Sequence, residues 1–257
     1  MIHAIADDLL TPDEAAHHLR LIRDHLLGPD GARLFDRPVG YAGGPMTLFQ
    51  RAEASTFFGR EIGIMYMHAH LRYAEALARV GDGPGLLAAL ALAQPVGMTD
   101  RVSSARPRQS TCYYSSSDAA FADRYAARDG YRGIFDHTVP LEGGWRVYSS
   151  GPGLFLQLLV QYQLGIRAHG TEVHIDPVLD PGLDGLVVQV PLLGARRTVR
   201  YSVGPRGHGV ISVRAGQEIL STAPLTNPYR DGGVSVSADD LRRACTDCEV
   251  VVEIETG

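Results

Sequence analysis

Apolar residues recur at helical spacing from about residue 1 to 167, and at strand spacing from about 170 to the end. The first helix is the best marked. Thr11-Pro12-Asp13-Glu14 supplies a hydroxyl N-cap, a proline at the first helical position and an acid three residues after the cap. Ala15, Leu19, Ile22 and Leu26 follow on one face, and Gly28-Pro29 stops the run. A loop rich in glycine and proline continues to about Met46. Further helices are predicted over Glu61 to Val80, over Leu86 to Ala93, from after Ser115-Ser116-Ser117-Asp118 to about Arg128, and over Gly153 to Leu164. Beyond Gly165 the pattern changes. Val173 to Ile175, Leu186 to Val190, Thr198 to Val203, Val210 to Val213 and Glu249 to Glu255 are rich in β-branched residues and bounded by Pro181-Gly182, Gly194, Gly204-Pro205 and Gly232-Gly233. Ala238 to Arg243 reads as a short helix. Helices first and strands afterwards predict an α+β chain, with a helical layer over residues 1–167 and a small antiparallel sandwich over 168–257.

Composition narrows the function classes. With 45% hydrophobic and 21% charged residues the chain can build a core, which excludes disorder as its main state. The most apolar stretch, Gly85 to Ala93, is about half the roughly 20 residues a spanning helix needs, so no membrane is expected as partner. Twenty-four basic against 29 acidic residues leave a net charge of −5, which offers no general attraction to nucleic acid. Asp7 and Asp8 stand where a signal peptide needs basic and apolar residues, so a cytoplasmic protein is expected. Cys245 and Cys248 have CxxC spacing, but no second pair completes a zinc site, and Cys112 is remote in sequence. All three are expected to be packing or surface cysteines.

Four segments carry residues suited to chemistry. Ser149-Ser150-Gly151-Pro152-Gly153 precedes an apolar helix, where free N–H groups and the helix dipole make an anion site; an ordinary N-cap with proline in the first turn is the default local reading. Gly59-Arg60-Glu61-Ile62-Gly63 leads to His68 and His70. An arginine and a histidine near one helix are donors for a phosphate or a sugar. Two histidines at i and i+2 diverge on a helix, so a shared metal is disfavoured and structural histidines are the local default. Tyr113-Tyr114-Ser115-Ser116-Ser117-Asp118 combines aromatic faces with hydroxyls, as sugar sites do, and reads equally as a helix cap. Gly143-Gly144-Trp145-Arg146-Val147-Tyr148 holds the single tryptophan, a residue usually found in cores. Phosphate loops, GxGxxG turns and GxSxG elbows do not occur.

Taken together these segments resemble glycoside hydrolase family 94, the inverting sugar phosphorylases. The run from Gly59 to His68 resembles the family's stretch that leads to a phosphate-binding histidine. Gly144 to Gly151 resembles the segment whose hydroxyl residue and glycine N–H hold the same phosphate. Leu164 to Arg167 and Ile175 to Leu179 resemble the passage from the last barrel helix into the C-terminal sheet. Phe49 to Ala76 and Ser115 to Tyr125 are closest to the β-1,2-oligoglucan and laminaribiose branch. The resemblance implies the closing helices of an (α/α)6 barrel followed by a jelly-roll-like β domain. It implies phosphate binding by His68, Ser150 and Gly151 with support from Arg60, and substrate binding by Tyr114, Ser116 and Asp118. No cofactor is implied beyond inorganic phosphate as co-substrate, and the product is α-glucose 1-phosphate.

Inverting hydrolases need a carboxylate to activate water, whereas phosphate arrives already anionic and needs only donors to position it. The family's general acid sits in a motif like Asp-Trp-Asn-Asp, which this sequence lacks. The expectation is therefore the C-terminal portion of a β-glucoside phosphorylase, incomplete alone, with an N-terminal partner polypeptide or a homodimer covering its open helix faces. A non-catalytic carbohydrate-binding remnant is the alternative. A self-contained hydrolase would have to draw on Asp118, Asp123 or Glu142, whose spacing shows no pairing.

Overall fold

The computed structural model describes residues 1–37, 64–144, 150–245 and 250–257. Arg60, Trp145, Ser149 and Cys248 lie outside the described residues, as do the predicted loop from 38 onward and residues 61–63 of the predicted second helix. Two compact units emerge. One comprises Asp13–Tyr73 and Ala89–Phe155; the other comprises Met1–Pro12, Ala74–Ala88 and Leu156–Gly257.

In the unit of Asp13–Tyr73 and Ala89–Phe155, the first predicted helix forms over Pro12–His25 and buries Ala15 and Leu19. A tight hairpin follows, with strands β1 (Leu27–Gly28) and β2 (Gly31–Ala32). Strands β3 (Ile64–Tyr66), β4 (Ser116–Ala119) and β5 (Leu141–Gly143) make a three-stranded antiparallel sheet with β4 in the middle. This sheet corrects two expectations. The helix expected from Glu61 begins only at Met67, because Ile64 to Tyr66 pair with Asp118 to Ser116. The serine run is a central strand and not a helix cap. Its backbone groups are satisfied on both sides, and Asp123 caps the next helix instead, Oδ1 accepting from the N–H groups of Tyr125 and Ala126 at 2.9 Å each. Met98, Val102, Ala119, Tyr131, Ile134 and Leu141 form the core of this region.

His70, on the helix Met67–Val80, is a structural histidine. It is wholly buried; Nδ1 accepts from the Ala32 N–H at 3.1 Å and Nε2–H donates to the Ala89 carbonyl at 2.8 Å. Burial holds its pKa below the usual 6.5. The unfolded chain therefore protonates this imidazole at a pH where the folded one stays neutral. Stability from this group is full above about 6.5 and falls as the pH drops from there toward the lower folded pKa. Urea denaturation between about pH 7 and pH 5 should show a steeper loss for the wild type than for His70→Gln; parallel slopes would refute the assignment.

The other unit carries two sheets over one core. Strands β6 (Ile166–His169), β7 (Glu172–Ile175), β8 (Val187–Leu192), β9 (Ala195–Ser202), β10 (Val210–Ala215), β11 (Glu218–Ile219), β12 (Thr222–Pro224), β13 (Val234–Ser237) and β14 (Val251–Thr256) appear in chain order. Their orders are β11-β10-β14-β9-β8 and β12-β13-β7-β6. Val173, Ile175, Val234 and Val236 of the smaller sheet share a core with Val199, Tyr201, Val213, Val252 and Ile254 of the larger. The Tyr201 hydroxyl, buried there, donates to the Leu164 carbonyl at 2.7 Å. The expected antiparallel sandwich is corrected at one pair: β14 runs parallel to β9. The helix Ala238–Ala244, predicted almost to the residue, intervenes before β14. The helix Ser150–Gln157 passes into a π-helical segment, Leu158–Gln163, before Gly165 takes a left-handed backbone with φ +68°. Among the described residues no helix is long and apolar enough to cross a membrane.

Candidate functional site

The three-stranded sheet and the segments beside it bring most of the predicted site residues into one region. Alternation along β4 sends Ser116 and Asp118 to one face and Ser117 to the other. The Ser116 hydroxyl hydrogen-bonds the Asp118 carboxylate, while Asp118 Oδ1 is buried with no hydrogen bond among the described residues. The Gly144 Cα lies against the Ser116 hydroxyl and both Asp118 oxygens, so a side chain there would occupy the position of these groups. Burial raises the Asp118 pKa; Ser116 and Arg108 oppose the shift, and the like charges of Asp30 and Glu142 add to it.

Arg108, a residue that no sequence pattern singles out, joins this cluster. Its Nη2 donates to the Ser117 hydroxyl at 2.6 Å, and its guanidinium sits 5.9 Å from the centroid of the Tyr114 ring. Burial lowers its pKa, with Asp30 and Asp118 opposing. Tyr114 itself is buried, and its hydroxyl accepts from the Gln109 N–H at 2.9 Å. It forms the wall behind Arg108.

A tyrosine stands beside each half of the predicted phosphate site, Tyr66 beside His68 and Tyr113 beside Gly151. His68, half-buried in the first turn of the helix Met67–Val80, stacks on Tyr66 with centroids 6.4 Å apart and ring planes at 26°. Tyr66 pairs with Ser116 across β3 and β4. Tyr66 also helps to raise the Tyr113 pKa, which burial chiefly pushes up to about 12. The Tyr113 hydroxyl in turn packs directly on the Gly151 Cα, in the first turn of the helix Ser150–Gln157; a methyl group at Gly151 would overlap it. His68 thus stands beside Tyr66, which pairs with Ser116 in the sheet, and Gly151 stands beside Tyr113. Ser150 opens the same helix. Among the described residues no group of three or more histidine, cysteine, aspartate or glutamate side chains is placed to hold a metal.

Against known proteins, residues 165–252 match the family described as glycoside phosphorylase C-terminal domain. The chain is also 37% identical over 246 residues to a 1,2-beta-oligoglucan phosphorylase of Listeria innocua serovar 6a, an alignment that covers 96% of this chain and 22% of that protein. The chain thus spans about a fifth of the length of that relative, and its residues 165–252 are similar to a glycoside phosphorylase C-terminal domain. The phosphorylase match over 165–252 takes in most of the two-sheet unit, from Gly165 to Val252. Tyr113 belongs to the Tyr113–Asp118 run whose aromatic faces and hydroxyls suit a sugar, whereas nothing in the sequence singles out Tyr66; its one signal is its position two residues before His68.

Proposed function

We propose that this chain supplies the phosphate-positioning side of an inverting β-glucoside phosphorylase of family 94, acting on β-linked gluco-oligosaccharides to give α-glucose 1-phosphate. The observations that support the reading are the Tyr66 ring stacked on His68 and the Tyr113 hydroxyl packed on Gly151 in the opening turn of a helix. In this reading the N–H groups of that turn, the Ser150 hydroxyl and His68 hold one oxyanion, and Arg60 supports them. Asp118, kept in place by Ser116, accepts from a sugar hydroxyl, with Tyr114 behind it. The helices belong to the closing part of an (α/α)6 barrel. The general acid comes from residues outside this sequence, in a partner polypeptide or in a longer form of the chain, and the Asp-Trp-Asn-Asp pattern identifies it.

Release of glucose 1-phosphate from β-1,2- and β-1,3-linked gluco-oligosaccharides tests the reading, with this chain alone and with a polypeptide carrying that acid. Activity is expected only in the second case and only with phosphate. His68→Ala should lower it by about a hundredfold or more, the scale set by loss of one preorganised donor. Phosphate-independent sugar release by the chain alone, or full activity of His68→Ala, would overturn it. Sugar binding that phosphate leaves unchanged, with no activity under either condition, would favour the carbohydrate-binding remnant.

A further inference from the structure

A cavity of about 250 Å³ lies in the two-sheet unit, bounded among others by Arg79, Tyr162, Arg167, His174, Asp176 and Arg230. None of the residues assigned to phosphate or sugar above borders it. Two of its guanidinium groups are already matched by carboxylates. Arg230 binds Asp176 through Nη1 and Nη2 at 2.7 and 2.9 Å, and Arg79 binds both oxygens of Asp8 through Nε and Nη2. Arg167 differs. Among the described residues it has no carboxylate, and its hydrogen-bonding neighbour is the His174 ring, with Nη2 3.4 Å from Nδ1. The His169 ring stacks on His174 at 4.7 Å; burial, Arg167 and His169 lower the His174 pKa, and the neighbouring Glu172 carboxylate opposes them. Glu172 lies 3.6 Å from His174 Nε2, and Arg167 is the guanidinium of this cavity without a carboxylate partner among the described residues.

The donors left over are arranged around it. Arg167 keeps Nε and Nη1 for another partner, and Arg79 keeps Nη1. The Gln161 oxygen accepts from Gln157, which leaves its amide N–H groups free. Gln161 and Tyr162 both come from the π-helical segment, a local geometry that recurs at functional sites. Strand, α-helix and π-helical turn thus each bring donors to one space, an arrangement suited to a tetrahedral oxyanion more than to a planar carboxylate.

We propose that this cavity binds a phosphate monoester of monosaccharide size, anchored through its phosphoryl oxygens by Arg167, with Arg79 and Gln161 as flanking donors. The volume exceeds what inorganic phosphate fills, which leaves room for the esterified group.

Calorimetry with α-glucose 1-phosphate, inorganic phosphate and glucose tests this, using the wild type, His68→Ala, and His68→Ala combined with Arg167→Gln or Arg167→Lys. The His68→Ala background removes the phosphate contact proposed above, so failure of that reading and failure of this one are distinguishable. Glucose 1-phosphate is expected to bind His68→Ala. Adding Arg167→Gln should weaken it tenfold or more, and Arg167→Lys should weaken it less. Tighter binding of glucose 1-phosphate than of inorganic phosphate supports the monoester, and glucose should bind far more weakly than either. In the folded wild type, the ring resonances of His174 should shift on saturation with glucose 1-phosphate. The proposal is overturned if Arg167→Gln leaves binding unchanged, if His68→Ala alone abolishes it, if glucose binds as tightly as its phosphate, or if the His174 signals stay fixed.

Discussion

Arg33→Ala is expected to cost about 3–5 kcal/mol of stability, the scale for breaking a buried ion pair from one side. Arg33 Nη1 lies 2.6 Å from Asp30 Oδ1, and both side chains are wholly buried at the β1–β2 hairpin. Among the described residues, neither group's polar atoms have a hydrogen bond to add to that attraction. Removing the guanidinium leaves a carboxylate buried, and the Asp118 carboxylate is close enough to feel its charge. Total stabilities of about 5–15 kcal/mol make this a large fraction of the whole. The informative comparison is Asp30→Asn combined with Arg33→Met, which removes both charges while keeping volume. That double variant should be more stable than Arg33→Ala alone in urea denaturation. A double variant as unstable as the single one would show that the pair acts through its packing and not through its charge.

Gly165→Ala should be comparably severe, by a different route. Gly165 has φ +68°, where a side chain is strained, and a methyl there would meet the backbone of Asp176 and Pro177. Strain of about 1–3 kcal/mol adds to overpacking of about 1–3 kcal/mol, and backbone cannot step aside as a side-chain tip does. The Gly165 carbonyl also accepts from the Asp176 N–H at 2.8 Å, so the π-helical end and the Asp176 turn would be displaced together. A midpoint of denaturation close to the wild-type value would sink this account. A loss confined to stability, with glucose 1-phosphate still bound by the folded fraction, would separate the structural role of Gly165 from that of the cavity it borders.

Sequence periodicity served well wherever burial follows one element's own pattern. The helix Pro12–His25, the strands β7 to β10 and β14, and the helix Ala238–Ala244 all carry their apolar face in their own residues. It failed where partners far along the chain decide. Ser116 and Ser117 are polar, short and followed by an acid, as helix starts are; only pairing to Ile64–Tyr66 and Leu141–Gly143 makes them a buried strand. Strands β6 and β13 were passed over for a similar reason. Ile166 alone is buried in β6, and serines interrupt β13. Within the candidate site, His68, Gly151, Ser116 and Asp118 were legible as residue types suited to an oxyanion or a sugar. Tyr66 and Arg108, which stand beside them, were not, because an aromatic or an arginine at such a position reads as ordinary core or surface until the sheet registers are known.

The placement of β14 bears on how this polypeptide leaves the ribosome. Val251–Thr256 fills the centre of the larger sheet, between β9 and β10, and its parallel partner Ala195–Ser202 was synthesised about 50 residues earlier. Until those six residues emerge, two hydrogen-bonding edges face each other across an empty slot, exposed to pairing with a neighbouring nascent chain. Translation arrest a few codons short of Val251 should therefore release an aggregation-prone product, whereas arrest beyond Gly257 should release one that closes its own sheet.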